Sequence, residues 1–379
     1  MKSKIWLSTP HMGGSEQKYI NEAFQDNWIA PLGPNVTGFE TDLENYLSNK
    51  NSFIACLSSG TAAIHLALLQ LGVSKGDEVI CQSFTFCGTA NPITYLGANP
   101  VFVDSESKTW NMCPDYLEQA IIDRKSKGKT IKAIIVVHLY GMPAQIDKII
   151  DVAKKYDIPV IEDAAEALGS TYNNQKCGTF GEFSILSFNG NKIITTSGGG
   201  ALVCRSIEQK NKTIYYATQA RENTPHYEHT EIGYNYRMSN ISAGIGRGQM
   251  EVLDKHIGLR QNNNKFYNEI FKDIDGISVF AEPSSQFVSN HWLTCILIDL
   301  SKSKITREDI YSKLLEENIE SRPLWKPMHL QPVFNKYPYY GTNISEQLFK
   351  NGLCLPSGSK LENEELERIK NTLISLFND

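Results

Sequence analysis

Three segments of the chain hold side chains that could do chemistry if the fold brought them together. Ser58-Ser59-Gly60-Thr61 joins an apolar run ending at Leu57 to a helix-like stretch. Small residues at such a junction let backbone N–H groups approach an anion such as a phosphate, and the hydroxyls add donors; the same residues also make an ordinary helix cap. Glu162-Asp163 follows the apolar run Ile158–Ile161. A carboxylate there can hold a positive partner, a protonated ring nitrogen among them, or can cap the next helix. Lys192 lies in a polar stretch, Ser187–Gly200, that is rich in glycine and sits between two apolar runs. A lysine amine that has lost its proton can form a Schiff base with a carbonyl, and glycines let a bulky ligand come close to the backbone. A solvated surface lysine is the ordinary alternative.

The flanking elements decide whether these segments meet. Short apolar runs at 52–57, 78–81, 99–103, 132–137, 158–161, 183–188 and 200–205 read as strands. Helix-like stretches at 61–71, 87–96, 114–127 and 144–156 lie between them. Apolar strands alternating with helices predict an α/β fold, a mostly parallel sheet with helices on both faces. Ligands of open α/β sheets bind at the carboxyl ends of the strands, and all three segments fall at such ends. Beyond residue 205 the alternation stops. Residues 239–273 read as one long helix capped at Ser239-Asn240, 276–300 as β structure, and 306–318 and 362–377 as helices. We therefore expect a large domain over 15–250 and a smaller α+β domain over 251–379, with residues 1–14 packing on the smaller one.

Composition narrows the function classes. The 379 residues are 41% hydrophobic and 21% charged, with a net charge of −5 and a pI near 6.0. This is ordinary globular composition. No basic block marks a nucleic-acid binder, and no apolar run is long enough for a membrane span. The N-terminus lacks an apolar leader, so a cytoplasmic, soluble protein is expected. The eight cysteines are scattered among apolar neighbours with no Cys-x-x-Cys pair, which predicts reduced, buried thiols and no metal site. Gly244-Ile-Gly246-Arg-Gly248 is a poor imitation of a dinucleotide loop, since it follows no strand and lies in a helical stretch.

Taken in chain order, an anion-binding turn, an acidic strand end and a lysine in a glycine-rich loop resemble the fold-type I pyridoxal-phosphate enzymes. Ser59-Gly60-Thr61-Ala62-Ala63, Phe84-Thr85-Phe86, Thr89-Ala90-Asn91, Glu162-Asp163-Ala164-Ala165, Ser187-Phe188 with Lys192, and Gly233–Met238 resemble the DegT/DnrJ/StrS nucleotide-sugar aminotransferases along essentially the whole chain. The resemblance implies pyridoxal 5'-phosphate as cofactor, with pyridoxamine phosphate as its amino form. It implies that Lys192 holds the cofactor covalently and moves the proton, that Asp163 pairs with the pyridine nitrogen, and that Phe86 stacks on the ring. Ser59, Gly60, Thr61 and Ser187 would bind the phosphate. Asn235 would be lent to that phosphate by the other subunit of a homodimer. Two positions depart from the pattern. Glu166 stands where many relatives carry Gln or His, and so would face the sugar or share a proton, unless it is only a first-turn helix acid. Ser197-Gly198-Gly199 replaces the commoner Gly-Glu-Gly.

Finer resemblances bear on substrate. Ser8–Gly14, Ile29–Pro34, Asn189–Lys192, Gln219–Asn223 and Arg322–His329 are similar to C4-aminotransferases of bacillosamine-type pathways. They imply amino transfer from L-glutamate to C4 of UDP-2-acetamido-2,6-dideoxy-4-keto-hexose, for glycan or O-antigen synthesis. Asn191, Arg221, His226, His229, Arg322 and His329 are candidate sugar-nucleotide contacts, positive groups suiting a diphosphate; each is also readable as a surface or structural residue. The alternatives are a C3- or C4-aminotransferase for a dTDP- or GDP-linked sugar and a non-catalytic cofactor-binding regulator. A 3-dehydratase of the same family would carry histidine in place of Lys192.

Overall fold

A computed structural model describes residues 2–377. Seven of the apolar runs form strands: β1 (Phe53–Leu57), β2 (Glu78–Gln82), β3 (Asn99–Val103), β4 (Ile131–Val137), β5 (Val160–Asp163), β6 (Phe183–Ser187) and β7 (Gly200–Cys204). With Tyr339–Tyr340 they build one sheet in the order β1-β7-β6-β5-β4-β2-β3 and then 339–340. Only β7 runs against the rest, pairing antiparallel with both β1 and β6. The strands read as unbroken apolar runs because both faces are covered. Alternate residues feed different cores. Ile134 and Val136 pack with Leu43, Leu117 and Ile149 on one face, while Ala133 and Ile135 pack with Leu66, Ile93 and Tyr216 on the other. The mainly parallel sheet sandwiched by helices is the architecture expected from the alternation.

The helix expected over 239–273 is two helices. Asn240–Met250 is capped by Ser239, whose hydroxyl accepts from the Ser242 N–H, and Leu253–Phe271 follows. The chain turns at Glu251–Val252, where Val252 leaves helical dihedrals (φ −116°, ψ 4°). Neither proline nor glycine marks the break. Tertiary packing does: the first helix lies against Glu16–Gln25, and Gly13 is in close contact with the Val252 side chain. Two helices before β1, Glu16–Gln25 and Pro34–Leu47, were also not anticipated.

A third core, around Tyr267, Phe271, Ile296, Leu314 and Leu353, lies under a four-stranded sheet built from 277–279, 294–298, 352–355 and 322–323. Ile5 joins this core and bridges to Ile319. Residues 328–340 then return to the large sheet: Met328 and Phe334 are buried in its second core, and Tyr339–Tyr340 adds its edge strand. All eight cysteines are free thiols. No described helix is long and apolar enough to cross a membrane.

Candidate active site

β5 shows how local geometry sorts two adjacent acids. Val160 belongs to one core and Ile161 to the other, so the next two side chains also point to opposite faces. Glu162 is fully buried, where it accepts from His138 Nε2 (2.8 Å) and the Ser184 hydroxyl (2.7 Å). Ala144 N–H donates to His138 Nδ1 (2.9 Å), so Nε2 is the nitrogen that turns its proton toward Glu162. Asp163 turns instead into a cavity of about 640 Å³ at the carboxyl end of the sheet.

Asp163 accepts from Thr89 Oγ1 (2.7 Å) and the Ala165 N–H (3.2 Å), and Thr89 is in turn bonded to Thr85. Burial pushes its carboxyl above the usual range, and Thr89, Ala165 and Lys192 only partly offset this. Glu166, three residues on, reaches the same cavity. It accepts from Lys192 Nζ (3.0 Å) and from the Tyr140 N–H (2.8 Å). Tyr140 sits at φ 55°, in the left-handed region, a conformation uncommon for a large side chain and informative when found beside a site. Burial raises the Glu166 carboxyl as well, with Lys192 opposing.

Lys192 is 13% exposed, with Nζ 4.1 Å from the centre of the Trp292 ring. The glycines that follow do not serve mainly to admit a ligand, contrary to the reading from sequence. A Cβ on Gly199 would collide with Thr196 and Met238, and one on Gly200 with the Ser59–Gly60 backbone. Only Gly198 faces open space. Close packing of β7 against the Ser59 turn requires glycine at 200, and the contacts with Thr196 and Met238 require it at 199.

At that turn Ser59 caps helix Gly60–Gln70, its hydroxyl accepting from the Ala62 N–H (3.0 Å). The capping and anion-binding readings hold together, because the cap leaves the Gly60 and Thr61 N–H groups without a partner among the described residues. Those donors, Ser187 at the end of β6, and the helix N-terminus all line one end of the cavity. Phe86 lines another wall and is 57% exposed, its ring 5.6 Å from that of Trp325. Asn191 and Arg322 also line the cavity; the Arg322 guanidinium bonds Glu320 (2.7 Å) and stays mostly exposed.

Five candidates do not reach the cavity of their own chain. Asn235 is exposed and bridges to Thr218. Arg221, His226 and His229 lie on an exposed arm. Arg221 bridges to His229 and stands over Tyr227, and His226 faces Glu228 (3.6 Å). His229 bonds the Gln219 carbonyl (2.9 Å). His329 is half-buried with both nitrogens engaged, Nδ1 to Ser83 (2.7 Å) and Nε2 to Glu346 (3.2 Å), and its ring is stacked on Tyr339. That arrangement is structural. The sequence also missed Trp292 and Tyr140, which arrive from distant segments with no spacing signal to link them to Lys192, and Trp325 is legible only as part of the Arg322–His329 segment.

The donor set suits pyridoxal phosphate. A buried carboxyl faces the cavity without a directly bonded cation, a helix N-terminus offers free N–H groups to a phosphate, an exposed aromatic face is available for a ring, and a lysine amine projects among them. A sequence model of the DegT/DnrJ/EryC1/StrS aminotransferase family matches residues 10–374. EpsN of Bacillus subtilis strain 168, named as a pyridoxal phosphate-dependent aminotransferase, is 50% identical over 100% of this chain and 97% of its own. GDP-perosamine synthase of Escherichia coli O157:H7 is 36% identical over 98% of each chain. The dTDP-4-amino-4,6-dideoxy-D-glucose transaminase of Shigella dysenteriae is 32% identical over 98% of this chain and 99% of its own. Among solved structures, Spr1654 of Streptococcus pneumoniae, named as a sugar aminotransferase and solved in its PLP form, superposes with a TM-score of 0.89 at 26% identity, covering 99% of each chain.

Proposed function

The chain belongs to the DegT/DnrJ/EryC1/StrS aminotransferase family, and from that premise we propose that it moves an amino group from L-glutamate to C4 of UDP-2-acetamido-2,6-dideoxy-4-keto-hexose, for glycan or O-antigen synthesis. Its fold is that of the fold-type I enzymes and pyridoxal phosphate is its cofactor. When bound, the cofactor supplies the aldehyde that accepts nitrogen and the electron-poor ring that takes up an electron pair. The observation that carries the assignment of roles is the meeting of Lys192, Asp163 and Glu166 in one cavity. Lys192 Nζ is the nucleophile and the group that takes and returns the proton at the carbon bearing nitrogen. Asp163 keeps a ring nitrogen protonated. Gly60, Thr61 and Ser187 hold the phosphate, with Ser59 shaping the turn. Phe86 offers its exposed face to the cofactor ring, with Trp325 beside it. Asn235, exposed and outside its own cavity, suits a homodimer in which each chain completes its partner's site. The exposed arm bearing Arg221, His226 and His229 suits the same arrangement.

C4 is supported by the transaminase of the 4-amino-4,6-dideoxy sugar among the relatives and by the segments 8–14, 29–34 and 189–192. Arg322 at the cavity wall is the candidate for the diphosphate. A second reading, a GDP- or dTDP-linked keto-deoxy sugar, is favoured by the names of two relatives. Incubation with L-glutamate and the UDP-, GDP- and dTDP-linked keto sugars, followed by NMR of the products, separates the two. A new amine on C4 of the UDP sugar alone is expected. Amination only of a GDP or dTDP sugar, or at C3, overturns the proposal.

A further inference from the structure

The Lys192 amine stands between two walls, the Glu166 carboxylate at 3.0 Å and the face of Trp292 at 4.1 Å from Nζ. Trp292 is 2% exposed. A cation over an indole face is attracted by the ring quadrupole, more strongly where water is excluded. The same indole acts a second way. Its Nε1–H donates to the Asn191 carbonyl (2.6 Å), one residue before the lysine. Ser8 donates to that carbonyl too (3.0 Å), and the Arg260 guanidinium to the carbonyl of Lys192 itself (3.3 Å). The loop therefore takes its position from groups far away in sequence.

The two walls are also tied to each other. Asn290 Nδ2 donates to the carbonyls of Glu166 (2.8 Å) and Leu168 (2.9 Å), while its Oδ1 accepts from the Trp292 N–H (2.9 Å). Gly141 packs so closely on Oδ1 that a Cβ there would collide with it, which leaves the amide a single seat. A lysine stem is long and free to take many rotamers, and a displacement of about 1 Å at a reacting group can cost on the order of 10²-fold in rate.

We propose that Trp292 is a positioning residue for Lys192, fixing the lysine's backbone through the Asn191 carbonyl and the direction of its amine through the ring face. This inference rests on Lys192 being the cofactor lysine. The two contacts are separable: Trp292→Phe keeps an aromatic face and loses the N–H donor, while Trp292→Leu loses both. The holoenzymes are compared in three ways. Borohydride fixation with peptide mass spectrometry locates the cofactor, visible circular dichroism reports its placement, and kcat and KM for L-glutamate are measured across pH. In all three proteins the cofactor is expected on Lys192. The dichroic band weakens in the order wild type, Phe, Leu, and kcat falls about tenfold in Phe and on the order of 10²-fold in Leu, with KM changed far less. Wild-type kcat and band in Trp292→Leu at full cofactor content would overturn the inference. Should that variant fail to fold, an unaltered Trp292→Phe would overturn it equally, because the lost donor must be felt. Cofactor fixed on another lysine in the wild type would overturn the assignment of Lys192, and this inference with it.

Discussion

At the scale of single residues, burial sets the chemistry of the carboxyls. Asp163 and Glu166 are both raised by it. A carboxyl raised in the folded chain keeps its proton to higher pH than in the unfolded chain. Its ionisation therefore costs stability, a cost absent below the ordinary carboxyl range and fully present above the raised value. Removing the charge of Asp163 should thus stabilise the fold while harming function. Calorimetry of cofactor-free Asp163→Asn at neutral pH is expected to show a melting point on the order of 1–2 °C above wild type. Steady-state assays of the reconstituted variant should show turnover down by about 10²-fold or more. A lower melting point would mean that the Thr89 and Ala165 hydrogen bonds outweigh burial. Lys192→Ala should hold no covalent cofactor after borohydride treatment and show no transamination.

Elements bring their own constraints. β7 is pressed against the Ser59–Gly60 turn, so Gly200→Ala must push two backbones apart, whereas Gly198→Ala meets nothing within 4 Å. Overpacking of this kind costs about 1–3 kcal/mol. Gly200→Ala should lose that much in urea unfolding and also bind pyridoxal phosphate more weakly, because the clash falls on the phosphate turn. Gly198→Ala should match wild type on both counts. On the other face of β5, burial pushes the Glu162 carboxyl up, but hydrogen bonds from His138 and Ser184 hold it below the usual range. His138→Ala would leave a buried charge short of a partner, at a cost of about 3 kcal/mol or more. Its urea midpoint should drop accordingly, while the wild-type midpoint should fall as acid protonates Glu162.

For the whole molecule, the exposed position of Asn235 makes a prediction about assembly. If each chain lends Asn235 to its partner, Lys192→Ala and Asn235→Asp defects lie in different chains of one site. Refolding the two variants together in equal amounts should restore roughly a quarter of the wild-type activity, since half the dimers are mixed and each has one sound site. No recovery on mixing, with dimers shown to exchange by native mass spectrometry, would place Asn235 in its own chain's site or in none.

What the sequence determined by itself is local. Strand periodicity, the small-residue turn at 58–61, the acid after β5 and the lysine after β6 are all set by neighbours in the chain. The strand ends then converge because parallel strands share one carboxyl edge. Even the separate duties of Glu162 and Asp163 follow from the two-residue period of a strand. Tertiary structure decided the rest. The break at Glu251–Val252 comes from packing rather than from a helix breaker. The seat of His329 between Ser83 and Glu346, and the need for glycine at 199 and 200, depend on groups far off in the chain. So does the posture of Lys192, which draws on Ser8, Glu166, Arg260 and Trp292. No spacing in the sequence reports contacts made across so many intervening residues, and a single chain presents Asn235 and the 221–232 arm only as exposed surface.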